Sequence, residues 1–294
     1  MLYRAVRLIM WMLMMYQGRF RVQFVLLLAV TAIVWPVGPA CVTASEPRGP
    51  WESWETLRLN AKSVPLFSGN VQMRVSVERG KIRFESRSTA KFFGARIAQN
   101  TTLSIMDEDT GRPERYESVS KKRARRYVFG KKGYSVEKLK PPEGAKKPVD
   151  EWEVKSRKEF AYPENDNGDT VDVYDYNGMF FHLRDMKLEQ EGDEAVIHIA
   201  TSSGPTAFRI LVAEVRAGEC KFTDTNEGTT KKLSVNKMRL RIIPVDPERA
   251  KEGFMKMEGE TELWVEAVSK TPLQLSGKVP KVPGTVRLVL AEMG

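Results

Sequence analysis

Histidine and cysteine are scarce, with two of each in 294 residues. A zinc site needs three or four nitrogen or sulfur ligands at suitable spacing, and the chain has neither a CxxC nor an HExxH pattern. No glycine-rich loop links a strand to a helix, so nucleotide chemistry has no foothold and neither a metal nor a cofactor is expected. Only Cys220 lies outside the N-terminal segment, which excludes an internal disulfide in a processed chain and leaves stability to the core. Cys220 itself reads as a small buried hydrophobe. His198 lies opposite Ile197 and Ile199 in "AVIHIA", and "TSSGP" reads as a hairpin turn, not as a nucleophile elbow. No catalytic residue is expected, and no enzyme.

Acidic residues are absent from the first 44 positions, where Arg4, Arg7, Arg19 and Arg21 precede the apolar run Phe24 to Val37. That run is shorter than the roughly 20 residues of a membrane-spanning helix. With Pro36 and Gly38 breaking it, residues 1–44 read as a secretory signal with cleavage near Ser45, which implies a periplasmic protein. Initiation at Met14 or Met15 would give a leader of ordinary length. The other readings are a lipoprotein anchored through Cys41 and an uncleaved anchor. Residues 45–63 read as a polar lead-in, and 64–294 as a single domain with a possible internal boundary at the proline-rich loop 141–150.

Aromatic residues are few (9%), but 41% hydrophobic and 29% charged residues describe a chain able to bury a core. Apolar positions recur with period two. Val71, Met73, Val75 and Val77 alternate with Gln72, Arg74, Ser76 and Glu78, and similar alternation runs through most of the chain after Glu194. In "KKLSVNKMRLRIIPV" the parity slips between Val235 and Met238, which predicts a bulge. One helix is expected, from about Val173 to Leu188, with Met179, Phe180, Leu183 and Met186 on one stripe. About ten strands and one principal amphipathic helix predict a mainly β fold: a strongly curved antiparallel sheet, a partly open barrel, with the helix on the concave side.

"YDYNGMFFHLRDMKLEQEGDE", "HIATSSGPTAFRILVAEVR" and "GETELWVEAVSKTPLQLSGKVPKVPGTVRLVLAE" resemble the bacterial exported family called domain of unknown function 3108 (DUF3108). The resemblance runs from about Val171 to Ala291, with a weaker echo from Val71 to Leu139. It is carried by Leu183 and Arg184, Gly192 and Asp193, Leu263 and Trp264, Pro272, and Gly284 to Val286. The link "GKVPKVPGT" departs from the family pattern. What the resemblance implies is a curved sheet similar to that of the periplasmic lipoprotein carriers, with no activity attached.

Two surfaces are candidates for function. The net charge is +9, and between Lys121 and Lys147 eleven Lys and Arg face only Glu137 and Glu143. These fall on a predicted hairpin around "GKKG", so Lys121, Lys122, Arg123, Arg125, Arg126, Lys131 and Lys132 form a basic surface suited to an anionic membrane or an envelope protein, or a solvated edge that resists pairing. Nucleic acid is not an expected partner of an exported chain. The helix stripe Met179, Phe180, Leu183 and Met186 reads either as a core plug or as the lid of a cavity for a lipid or lipoprotein ligand. The leading expectation is a non-enzymatic periplasmic protein that binds an apolar ligand or an envelope partner in the concavity. The alternative is an envelope interaction module docking through the basic hairpin.

Overall fold

The computed structural model describes residues 54–294 apart from 63–66, 93, 121–122, 143–146, 249, 251–252, 281 and 283. They belong to one compact unit, Pro47–Gly294. The expected signal segment, its alternative start codons, Cys41, Lys121 and Lys122 lie outside the described residues.

The strands come in two runs. The first is β1 (Thr56–Lys62), β2 (Phe67–Glu78), β3 (Lys81–Phe92), β4 (Ala95–Asp107), β5 (Pro113–Ser120), β6 (Arg123–Phe129), β7 (Gly133–Lys140) and β8 (Glu153–Ala161). After β9 (Val173–Tyr174) and the helix α1 (Gly178–Asp185), the second run is β10 (Glu194–Thr201), β11 (Gly204–Asp224), β12 (Thr229–Pro244), β13 (Glu258–Glu266), β14 (Pro272–Lys278) and β15 (Thr285–Met293). All of them form a single sheet in the order β8-β7-β6-β5-β4-β3-β2-β1-β15-β14-β13-β12-β11-β10-β9. The pairing is antiparallel except at β9–β10 and β11–β15. The expected curved, partly closed antiparallel sheet with one helix is therefore the architecture observed.

The sheet curls until its two arms meet. On the inner face of β7, the Tyr134 hydroxyl donates to the Thr201 carbonyl of β10 (3.0 Å) and accepts from the Thr201 N–H (3.2 Å). Tyr116, Tyr127, Tyr134, Val136, Val173 and Ala200 pack as one cluster across this closure. A larger core, including Leu57, Met73, Phe84, Leu240 and Leu275, fills the rest of the concavity beneath α1.

Four expectations need correction. Residues 56–62 are not lead-in but strand β1, because Leu57, Leu59 and Ala61 alternate with Arg58 and Asn60 and bury their face against the core. Loop 141–150 is no domain boundary, since β7 and β8 on either side of it pair with each other. The helix is half the expected length. Val173 and Tyr174 extend instead as β9 beside His198 and Ile199, and the chain after Met186 leaves helical geometry.

The fourth correction concerns β12, where no bulge lies between Val235 and Met238. Those residues pair with Val215 to Gly218 of β11 without a break, and the register shift sits beyond them at Ala213, between Val212 and Glu214, opposite Leu240 and Arg239. Parity slips because the β11–β12 hairpin buries different faces along its length. Its near half buries Val212, Met238 and Leu240 on one face and its far half Cys220, Phe222 and Val235 on the other, and all six join the same core cluster. That far half swings round until Thr223 and Asp224 pair with Glu292 and Met293, closing β11 to β15 into a five-strand ring.

Close approach at the other arm demands a glycine. A Cβ at Gly133 would lie far inside van der Waals contact distance of the Phe160 carbonyl oxygen. Gly133→Ala is expected to loosen the β7–β8 edge and lower stability by about 2 kcal/mol, read by chemical denaturation. An unchanged midpoint would mean that the edge strand carries no cooperative stability.

Candidate functional site

Alternation decides which side chains face the concavity along β4, β5 and β6. Asn100, Ser120 and Arg123 pair in one cross-strand row, and Thr102, Ser118 and Arg125 in the next. These rows share their face with Ser104, Tyr116 and Tyr127, so they continue the inner surface. Along the sheet that surface changes character. Leu57, Leu59, Met73 and Phe84 are apolar, Ser86, Thr102 and Ser104 follow as buried hydroxyls, and the two arginines come last.

At the arginine end a cleft of about 270 Å³ opens between Asn100, Ser118, Ser120, Arg123 and Arg125 on one wall and Lys256, Glu258 and Pro280 on the other. The Ser118 hydroxyl donates to Asn100 Oδ1 (3.2 Å) and the Ser120 hydroxyl to the Arg123 carbonyl (3.1 Å), which orders the floor. Lys256 reaches this site on a turn closed by Met257 N–H to the Phe254 carbonyl (2.9 Å). Met255 and Lys256 both take left-handed backbone, with φ of 50° and 65°. Such two-residue turns favour Asn and Gly, so holding Met and Lys there costs about 1 kcal/mol per residue. Three cations against one carboxylate give the cleft a positive potential.

The expected basic surface is thus divided. Arg123 and Arg125 face the cleft. Arg126 points to the opposite face, where it pairs with Glu117 (2.7 Å), Glu137 (3.6 Å) and Asp150 (2.6 Å). Arg115 joins the same network through Glu117 (2.6 Å) and Asp150. Asp150 comes from a 3-10 turn, Val149–Glu151, after the proline-rich loop. Lys131 and Lys132 are exposed in the β6–β7 turn. About 20 Å of strand, at ~3.3 Å per residue, separates them from Arg123.

The stripe of α1 lies in the core. Met179 and Leu183 are fully buried, Phe180 is 5% exposed, and Met186 packs partly buried against the same cluster. Phe180 stacks on Phe84 with centroids 6.4 Å apart, and Phe181 meets the same ring edge-on at 5.7 Å. At the start of α1 the fully buried Asp175 accepts from Ser104 Oγ (2.7 Å) and from the N–H groups of Asn177 (2.8 Å) and Gly178 (3.0 Å), all at Oδ1. Its Oδ2 is buried without a hydrogen-bond partner. Burial pushes the Asp175 carboxyl above its ordinary range, against the lowering effect of those three donors.

Sequence reasoning missed Asp175, Asn100, Ser118, Ser120 and Lys256. The period-two spacing of Asn100, Thr102 and Ser104 and of Ser118 and Ser120 was the available signal, because hydroxyls at inward positions mark a lining that is not meant to be dry. His198 is half-buried, and burial lowers its imidazole. Ser203 Oγ lies 3.0 Å from Thr201 Oγ1 within the β10–β11 turn, as "TSSGP" led one to expect.

No protein-family profile matches the chain. A curated relative, an iron-sulfur subunit of the F420-non-reducing hydrogenase vhu of Methanopyrus kandleri, is 27% identical over 88 residues, 30% of this chain, and the chain spans 66% of that relative's length. The two cysteines present are fewer than the four thiolates that usually hold an iron-sulfur cluster, so this likeness carries no cluster to the chain. Among solved structures, a beta-barrel-like protein of domain of unknown function DUF1849 from Brucella abortus aligns over 81% of this chain and 95% of its own, with a TM-score of 0.50 and 9% identity. At that identity the likeness shows the fold alone, β-rich and barrel-like.

Proposed function

We propose that this is a non-enzymatic, exported binding protein of the bacterial envelope that holds the anionic group of an envelope molecule in the concave cleft beside Arg123 and Arg125. One observation carries the reading. The inward faces of β4, β5 and β6 place ordered hydroxyls and two arginines opposite a lysine held on a strained turn. Clustered cations raise the local concentration of an oxyanion, and a space of about 270 Å³ suits a phosphate-bearing headgroup better than an acyl chain. The arginine-rich, acid-free segment 1–44, read as a leader, is what supports an envelope location.

A purely apolar ligand is the weaker reading. Met179, Phe180 and Leu183 already fill the apolar half of the concavity, and an acyl chain would have to displace them from Phe84. Docking through the outer face of the hairpin is weaker too, because Arg126 there is met by three carboxylates.

The test uses co-sedimentation with phosphatidylglycerol vesicles, with phosphatidylcholine vesicles as control. Binding is expected to be salt-sensitive and to fall at least about tenfold in the double variant Arg123→Glu, Arg125→Glu, while Lys131→Glu, Lys132→Glu changes it little. Equal loss in both variants would point to diffuse surface charge, and no loss in the first would remove the cleft from the function.

A further inference from the structure

The five-strand ring has a lumen on the face of β13 to β15 opposite to that of Leu263, Leu275 and Leu288, with Cys220 and Trp264 joining it to the main core. Its cavity of about 480 Å³ is lined from all five strands, β11 to β15. Rings of so few strands are ordinarily filled by their own side chains. Here the far end is filled, by Cys220 and Phe222, but the mouth is not.

Trp264 sits in the mouth between two guanidinium groups, with Arg216 at 4.8 Å and Arg239 at 5.8 Å from its ring centroid. Such stacking fixes the planes of both arginines while leaving their N–H edges to point elsewhere. Lys237 and Arg287 lie on the same inward rows as Glu262, and Glu219 and Lys221 complete the charged lining. Glu214, at the edge, pairs with Arg216 (3.2 Å) and Arg239 (3.4 Å). Glu262 lies 3.6 Å from Arg239. Five cations, Arg216, Lys221, Lys237, Arg239 and Arg287, therefore face the carboxylates Glu214, Glu219 and Glu262, and Arg287 makes no ion pair among the described residues. That excess gives the cavity a positive potential that draws an anion to its mouth.

We infer that the ring lumen is a binding site for a compact oxyanion bearing phosphate or carboxylate groups, distinct from the concave cleft. Only β13 contributes to both sites, Glu258 to the cleft and Glu262 and Trp264 to the lumen, and the cations of the lumen lie on other strands than Arg123 and Arg125, so its fate is separable from theirs. Trp264 provides a local reporter.

The full chain is titrated with inorganic pyrophosphate and, separately, with citrate, at constant ionic strength and with sulfate as reference. Either ligand is expected to change Trp264 fluorescence at millimolar concentration or below and to raise the melting temperature. A response to pyrophosphate alone names phosphate esters, and an equal response to citrate names polyanionic carboxylates. Arg287→Ala removes an exposed side chain and is expected to weaken binding about tenfold or more, as the loss of a charge-assisted hydrogen bond would. Lys237→Met serves the same purpose should Arg287→Ala fold poorly. Trp264→Phe is expected to abolish the optical signal but keep the thermal shift. The inference is overturned if both ligands behave like sulfate, or if the folded Arg287→Ala and Lys237→Met proteins bind as tightly as the unaltered chain.

Discussion

Phe84→Ala is expected to lower the free energy of unfolding by about 3–5 kcal/mol. Phe84 is 1% exposed on the inner face of β3 and is the ring on which three others converge. Phe180 stacks on it, Phe181 meets it edge-on, and Trp54 adds a second edge contact at 6.3 Å. An eight-residue helix has little intrinsic stability and depends on what it packs against. Removing the ring therefore empties a large volume and detaches α1 at once, because neighbouring strands cannot close the gap without breaking sheet register. Urea denaturation followed by near-ultraviolet dichroism measures the effect. A loss below about 1 kcal/mol would mean that the helix is held by something other than this aromatic contact.

Asp175 is expected to make stability depend on pH. Burial raises its carboxyl in the folded chain above the unfolded value near 4. The folded state then holds this proton more tightly than the unfolded state does. The stabilisation is fully present below the unfolded pKa and is lost as pH rises through the folded one. Asp175→Asn keeps an oxygen to accept from Ser104, Asn177 and Gly178 and abolishes the titration, so it should flatten the fall in stability that sets in as pH rises above the unfolded value near 4. Asp175→Ala leaves all three donors without an acceptor and should cost about 3 kcal/mol or more at any pH. Denaturation midpoints across pH for the three proteins decide the matter. Parallel profiles for the unaltered chain and Asp175→Asn would show that the carboxyl does not titrate in this window.

Much of the fold was legible because a strand with one buried face writes its geometry as alternation. Met73, Phe84, Leu240, Leu263 and Leu275 could each be assigned an inward side from their neighbours alone. Strand β1 was not, since three alternating residues beside a tryptophan-rich polar stretch give too short a pattern. The helix was overextended at its start because Tyr174 and Tyr176 suit either period, and only the parallel partner β10 decides between them. On β12, the slip of parity was visible but its cause was not. A bulge and a change of buried face leave the same trace in one strand, and the ring closure that separates them depends on Glu292 and Met293, far along the chain.

For the candidate site, the cationic window could be read but its division could not. Alternation separates Arg126 from Arg123 and Arg125, yet says nothing about which face has Asp150 folded over it. The opposite wall, Lys256 and Glu258, comes from a loop more than a hundred residues later. Strand periodicity reports faces, and a cleft between distant segments is a fact about closure.

The pairing of β1 with β15, Leu57 opposite Met293 through Lys62 opposite Arg287, bears on how the molecule is made. Joining strands so distant in sequence requires the largest loop closure in the fold, a slow event that can occur only after nearly all of the polypeptide is available. Until then the hairpins of the first arm have an unzipped seam, and the nascent chain remains pliable. The stitch that locks the tertiary structure is therefore the last to be sewn.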